Sequence, residues 1–466
     1  MKKYIVLSIL LLCFTKCFAN ESFEVLCFDV FQKNIDMQEA KKNTKLSKSK
    51  RIANLALLLP AISVEGSLSY NYEIFQKEYP ETAQVSLNLS QYFIGGSTLN
   101  LSGTYTYYTT ESNTINYENA ASASLYLTQS LNPWWFSLNF VNPDFYIPKL
   151  NYLISKQKEF CMEYQVMTDF LRSFIEYKAL LSQIELQQKN YNYYKEMYEA
   201  SLSLFNNGNT AYINLFDTYQ KYYEVGLNFE ALKERKKNMI NDFCRLTSYA
   251  YSQADMEKVL EKALNENWKD IFIKNYSYLT LSKFLENSEN IVQNSIKYDK
   301  NVYLLQRQEA APKMSVGINC NYDVISKHNF SVSVGFDFSS LFSPSYLTLK
   351  KDYKLNKKIN ENQFSNTKNT NQNTKESYEK TFYELQKQYL DCVQEYNNFE
   401  KIYFDYEKLY EKQMCSKLDF MNIELLYFQL KVKLETIYDE FFYYAVVLSK
   451  TNEYYSRAGV NISLKN

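Results

Sequence analysis

The chain has 466 residues, and its 52 lysines and arginines are matched by 52 aspartates and glutamates. A formal charge of zero gives no electrostatic case for a nucleic-acid partner, a single histidine (His328) rules out His–His metal sites, and the length allows more than one domain. Tyrosine is abundant at 44 residues while glycine and proline number only 9 and 7, which suits long helices joined to strands with interfacial aromatic belts.

Residues 1–19 read as a secretory signal. Lys2 and Lys3 supply the charge, Tyr4 to Phe14 the apolar run, and Cys17-Phe18-Ala19 the small residues of a cleavage site, so the mature chain is expected to begin at Asn20. Lipidation at Cys17 is the alternative, and Lys16 fits it poorly. No later run approaches the roughly 18 apolar residues that a spanning helix needs. Membrane insertion would therefore have to use a β-barrel.

Residues 29–58 read as a first helix ending before Pro60. Four strand candidates follow. In the first, Ile62, Val64, Leu68, Tyr70 and Tyr72 alternate with Ser63, Glu65, Ser67, Ser69 and Asn71. A strand has period two, so this segment has one apolar and one wet face. Val85, Leu87 and Leu89 alternate with Ser86, Asn88 and Ser90. Leu99, Leu101, Tyr105 and Tyr107 alternate with Asn100, Ser102, Thr104 and Thr106. Ala121, Ala123, Leu125 and Leu127 alternate with Ser122, Ser124 and Thr128. Gly95-Gly96 is a hairpin signal between the second and third, and a polar linker, Glu111 to Asn119, precedes the fourth.

Pro148 is expected to open a helix that runs to about Asn206. Asn207-Gly208-Asn209 is a breaker cluster, and a second helix runs from Tyr212 to about Ser248. A helix of about 58 residues extends roughly 87 Å, which implies coiled-coil packing. Shorter helices are expected over 253–265 and 276–305. After Pro312, Met314, Val316, Ile318 and Cys320 alternate with Ser315, Gly317, Asn319 and Asn321. Phe330, Val332, Val334, Phe336 and Phe338 then alternate with Ser331, Ser333, Gly335 and Asp337. Ser343 and Pro344 are a cap and first position for another helix. It runs to about Lys412, breaks over Gln413 to Ser416 and resumes to about Arg457. The Asn- and Thr-rich stretch Asn360 to Lys375 is either a weak part of that helix or a loop.

The order of elements repeats, which indicates an internal duplication. Leu59-Pro60-Ala61-Ile62-Ser63-Val64 aligns with Ala311-Pro312-Lys313-Met314-Ser315-Val316, and Asn214 with Asp419. Residues 20–249 form the first expected repeat and 250–466 the second. Between these landmarks the first is longer by about 47 residues, enough for one extra strand pair, assigned to Val85 to Thr109.

These features resemble the TolC-type outer-membrane efflux proteins. The resemblance is carried by Leu58-Leu59-Pro60, by Ser124-Leu125-Tyr126-Leu127-Thr128-Gln129-Ser130-Leu131, by Phe205-Asn206-Asn207-Gly208 and by Leu418-Asp419-Phe420. It covers essentially the whole chain after the signal. It implies a membrane α+β fold: an outer-membrane β-barrel fused to a long-helix periplasmic α-barrel, internally duplicated and trimeric. It further implies outer-membrane lipid around the barrel, and a periplasmic adaptor and an inner-membrane pump at the helical tip. The family usually gives four strands per chain and twelve per barrel; the extra pair predicts about six and eighteen.

By the same resemblance, the adaptor-docking tip is formed by Asn207, Gly208, Asn209 and Thr210 in one turn and by Gln413, Met414, Cys415 and Ser416 in the other. Gln413 stands where the family usually has glycine, which puts the docking geometry of the second turn in question. The periplasmic gate maps to Tyr410, Asp419, Asn422 and Asn214. Asn422, Asn214 and Cys415 replace charged family residues, so the charged lock is expected to be neutralised. Three copies of Asp419 around a narrow axis would repel one another and attract cations.

No catalytic motif accompanies these elements. No Walker motif or dinucleotide fingerprint is present, so energy would come from a partner. The six cysteines after the signal form no Cys-x-x-Cys pair, and neither a zinc site nor any cofactor is expected. Trp134 and Trp135 are candidates for an interfacial girdle or for packing of the barrel base against the helices. The expected function is a passive, gated exit duct for small molecules, peptides or proteins. A structural or adhesive envelope coiled coil and a stand-alone porin are the alternatives.

Overall fold

The computed structural model describes residues 22–56, 58–69, 82–93, 97–108, 120–130, 143–309, 313–322, 329–337 and 344–458. The signal segment with Cys17, Gly95-Gly96, Trp134, Trp135 and His328 lie outside them. Two helices, α1 (Ser22–Lys33) and α2 (Ile35–Ala56), precede strands β1 (Ala61–Ser69), β2 (Thr82–Tyr92), β3 (Ser97–Tyr108) and β4 (Ala120–Ser130). Helices α3 (Pro143–Asn206), α4 (Tyr212–Leu246), α5 (Gln253–Leu264), α6 (Trp268–Tyr276) and α7 (Leu281–Glu309) follow. Then come β5 (Lys313–Tyr322), β6 (Asn329–Asp337), α8 (Pro344–Glu411), α9 (Lys417–Val447) and α10 (Thr451–Ala458).

Several boundaries differ from the sequence expectation. Helix α3 begins at Pro143, so Pro148 lies inside the helix. Asn34 splits the first helix; its side-chain oxygen accepts from Met37 N at 3.1 Å and so caps α2. Helix α6 is missed by periodicity because it is only 9 residues long. Residues 360–375 are helical. Their asparagines find tertiary partners that propensity does not register: Asn371 donates to Leu285 O and Ser288 Oγ, both at 3.0 Å, and Asn360 donates to Asp299.

The chain divides into two compact units. One unit comprises residues 42–158 and 289–367. Its six strands form one antiparallel sheet in the order β1-β2-β3-β4-β5-β6, so the described parts of the extra pair assigned to Val85 to Thr109 lie within the sheet as β2 and β3. Register aligns the alternation across all strands. One row runs Ile62, Leu89, Leu101, Leu125, Ile318 and Val332. On the opposite face a row runs Ser63, Asn88, Ser102, Ser124, Asn319 and Ser331. Hydroxyls tie neighbouring strands there, as between Ser102 and Ser124 and between Ser86 and Thr104 at 3.4 Å. The apolar face is uncovered: Leu68 is 87% exposed and Phe330 67%, with Ile62, Val64, Val332, Val334 and Phe336 also exposed.

The second unit contains the residues through Lys41, Glu159–Ser288 and those from Lys368 onward. Its core is aromatic. Phe23 meets Phe174 edge-on at 4.9 Å, Phe174 meets Trp268 at 5.3 Å, and Trp268 meets Phe442 at 5.3 Å. The short helices α1, α5, α6 and α10 supply much of this core beside α3, α4, α8 and α9. Among the described residues no helix is long and apolar enough to cross a membrane, no group of metal-ligating side chains forms, and the cysteines are free thiols.

Candidate functional site

The second unit ends in two helical hairpins whose turns are built alike. Helix α3 closes on Gly208 at φ 72°. Gly208 N donates to Phe205 O at 2.9 Å and Asn209 N to Leu204 O at 2.8 Å, the two bonds of a Schellman cap. Helix α8 closes on Gln413 at φ 57°, with Gln413 N on Tyr410 O at 2.9 Å and Met414 N on Leu409 O at 2.8 Å. The missing glycine therefore does not change the turn. Gln413 takes the left-handed conformation, so the backbone of the second turn matches that of the first.

The helices that leave the turns start differently. Ser416 caps α9: its Oγ accepts from Asp419 N at 3.1 Å and donates to Asp419 Oδ2 at 2.6 Å. Asp419 is thus held in a local cap, favoured at the positive end of the helix. At the first turn Ala211 provides no side-chain cap, and Asn214 Nδ2 instead donates to Thr210 Oγ1 at 3.2 Å. Tyr410 lies flat on Phe420, with centroids 4.7 Å apart and planes at 5°. Cys415 Sγ sits 3.9 Å from Tyr406 O. Met414 and Asn422 are exposed. Tyr410 and Asp419 share one hairpin while Asn214 belongs to the other, and among the described contacts none joins Asn214 to either.

Tyrosines hold each hairpin together. Tyr191 and Tyr222 share a hydroxyl–hydroxyl bond of 2.7 Å, and Tyr396 and Tyr427 one of 2.6 Å; each pair is 31 residues apart. Tyr198 stacks on Tyr222, and Tyr403 on Tyr427. Burial pushes the hydroxyl of Tyr396 up and that of Tyr403 likewise, which keeps them neutral donors. Sequence reading missed this ladder, although the recurrence of Tyr191 and Tyr198 as Tyr396 and Tyr403 was a usable signal.

Ion pairs hold one hairpin to the other along the α3–α9 seam. Lys178 meets Asp439 at 2.7 Å, Lys189 meets Glu424 at 2.8 Å, and Lys417 meets Glu196 at 2.8 Å. Burial falls toward the tips: the Asp439 side chain is 4% exposed and that of Lys417 57%. Asp439 also faces Lys269 at 2.7 Å, as an ion pair rather than a well-aligned hydrogen bond. Lys269 lies 3.6 Å from the Tyr438 ring centroid and donates to Tyr454 Oη at 3.2 Å. Burial pulls its pKa down to about 8, although Asp439 favours the charged form.

The contacts place the helices in the lateral order α8, α9, α3, α4, with α8 and α4 at the edges. Both edges carry uncovered stripes. On α4 these are Tyr212, Phe216, Tyr219, Tyr223 and Leu227; on α8 they include Tyr383, Leu390 and Phe404. The turns differ in charge. No charged residue lies between Glu199 and Asp217, whereas Glu407, Lys408, Glu411, Lys412 and Lys417 surround the second turn.

No family model and no curated protein sequence matches the chain. Solved structures do. The CmeC outer membrane channel of Campylobacter jejuni matches 96% of this chain and 91% of its own, with a TM-score of 0.57 at 12% identity. The outer membrane protein VceC of Vibrio cholerae matches 92% and 95%, with a TM-score of 0.57 at 10% identity. The open-state MtrE outer membrane channel of Neisseria gonorrhoeae matches 92% and 88%, with a TM-score of 0.57 at 10% identity. The chain has the fold of these outer-membrane channels. The resemblance read from sequence is borne out at that level.

Proposed function

We propose that this protein is a TolC-type exit duct of the outer membrane, serving tripartite efflux or type I secretion. The observation that carries this reading is the two-faced sheet. An uncovered apolar face backed by rows of hydroxyls and amides is expected of a barrel wall between lipid and water. A coiled-coil scaffold has no use for such a wall.

Strands β1 and β6 are the free edges of the sheet. Open edges do not persist in lipid, so barrel closure is assigned to pairing between copies. Three copies would give about eighteen strands. The exposed stripes on α4 and α8 support the same assembly, since each edge helix lacks a neighbour that another copy can provide. Internal duplication is supported by the tyrosine pairs and by the two turns, in which Gly208 corresponds to Gln413 by the displacement that relates Tyr191 to Tyr396.

The helical tips are assigned to a periplasmic adaptor and, through it, an inner-membrane pump. Docking is assigned to Asn207–Thr210 and Gln413–Ser416. Tyr410, Asp419, Asn422 and Asn214 remain the gate positions, with one revision: Asp419 acts first as a helix cap. The ionic hold between hairpins is assigned to Glu196–Lys417 and Lys189–Glu424. Opening then separates two hairpins that each stay intact.

Purified protein in planar lipid bilayers tests the reading. A gated duct gives small conductance, and cross-linking gives a trimer. Large steady conductance would favour a porin without a pump. A protein that neither inserts nor conducts would favour the envelope coiled coil.

A further inference from the structure

The polar face of the sheet is nearly free of charge. Across the six strands one row reads Glu65, Ser86, Thr104, Ser122, Asn321 and Asn329. Elsewhere on that face the described positions are hydroxyls, amides, small residues and tyrosines, apart from Lys313 and Asp337. Those two are register partners, one residue of each sign. Glu65 is different. It is exposed, and its register partner is Ser86. It also lies on β1, a free edge of the sheet. Among the described polar-face positions of β6, through which a second copy would join, none is a cation. The polar-face positions of β6 are Asn329, Ser331, Ser333, Gly335 and Asp337.

We propose that Glu65 sets the charge selectivity of the barrel lumen. The proposal rests on the exit-duct reading, in which the polar face lines a passage shared by three copies. Among the described residues of the sheet, each copy then contributes one carboxylate that has no cation as register partner. Fixed charges on a pore wall concentrate counter-ions and exclude co-ions within about a Debye length, about 10 Å at 0.1 M salt. The barrel therefore favours cationic solutes over anionic ones, and uncharged hydroxyl-bonding solutes pass without penalty. Cargo of net negative charge is disfavoured at this level of the duct.

The test is the reversal potential of the full-length protein in planar bilayers under a KCl gradient. The wild type is expected to pass K+ over Cl− by about two- to fivefold at 0.1 M, and more at 0.01 M, where the Debye length reaches about 30 Å. Glu65→Gln should bring the ratio to about one, and Glu65→Lys should invert it. Asp419→Asn, in the helical unit, should leave most of the preference in place. If Glu65→Gln does not assemble, Glu65→Cys is charged in place by a cationic thiol reagent added to open channels, and its preference should then move toward anions. Selectivity unchanged in the Glu65 variants and lost in Asp419→Asn would overturn the assignment while leaving the duct intact. Absence of any conducting species in the wild type would overturn the duct reading itself.

Discussion

Gln413 holds a backbone conformation that costs an L-residue roughly 1 kcal/mol and costs glycine little. The Schellman bonds on both sides of it enforce that conformation. Gln413→Gly should therefore stabilise the second hairpin by about 1 kcal/mol in denaturant unfolding. Gly208→Ala should destabilise the first by about as much, because an added Cβ meets nothing within 4 Å and only the backbone term remains. A different residue-scale cost sits at Asp439, the carboxylate between Lys178 and Lys269. Neutralising it leaves two lysines facing each other in a largely buried site. Asp439→Asn should cost about 3 kcal/mol, less than the deepest cases because Lys178 is 30% exposed. Adding Lys269→Met should recover part of that loss. The pH dependence has a definite sign. Lys269 is held at about 8 when folded and returns to about 10.4 when unfolded. The unfolded chain binds more protons between these values, so stability should rise with pH from about 8 to about 10.4. The rise should be missing in Lys269→Met, as thermal melts across that range would reveal.

Helices are joined in two chemical styles, and the styles respond differently to salt. Inside each hairpin the tyrosine contacts are neutral, with Tyr191 on Tyr222, Tyr396 on Tyr427 and their stacked neighbours, and the α8–α9 seam adds one exposed ion pair, Lys433 to Glu395 at 3.1 Å. Between hairpins they are ionic and grow more exposed toward the tips. Exposed ion pairs are screened by salt, whereas aromatic packing is not. Raising salt should speed amide exchange along the tip end of the α3–α9 seam and leave the α3–α4 seam unchanged. Equal loosening of these two seams would show that charge does not hold the hairpins together. This division was only partly legible in the sequence. Period-two alternation located all six strands of the sheet, because each strand has one polar and one apolar face. The Asn207-Gly208-Asn209 breakers located the first tip within a residue or two, and the break expected over Gln413 to Ser416 matches the second. The ion pairs were invisible because Lys189 and Glu424 lie on helices far apart in the chain, and nothing local marks them among many similar surface residues. The start of α3 was misplaced because Pro148 looks like a first-turn proline, while Pro143 occupies that position. The stop after Val447 was missed because Ser449, at φ 59°, performs a glycine's role without being one.

At the scale of the whole molecule, the two ends of the hairpins present unlike surfaces to the same surroundings. The first tip, from Ala200 to Phe216, carries no charge and exposes Leu204, Phe205, Tyr212 and Ile213. The second is crowded with lysines and glutamates. Helix α4 is also longer than α9, at 35 residues against 31, about one helical turn or roughly 6 Å. If the periplasmic partner docks end-on, the uncharged tip is where apolar area can be buried without desolvating charge. Affinity should then change little with ionic strength, because counter-ions are neither taken up nor released. Binding of a purified partner adaptor, followed by surface plasmon resonance between 0.05 and 0.5 M salt, should vary less than about threefold. Ile213→Glu should abolish it by placing an unpaired charge in the buried contact, while charge reversal at Lys408 and Lys412 should leave it nearly unchanged. A steep loss of affinity with salt, combined with insensitivity to Ile213→Glu, would move the docking surface to the second tip. Selection for an apolar contact would then not explain why the first tip is uncharged.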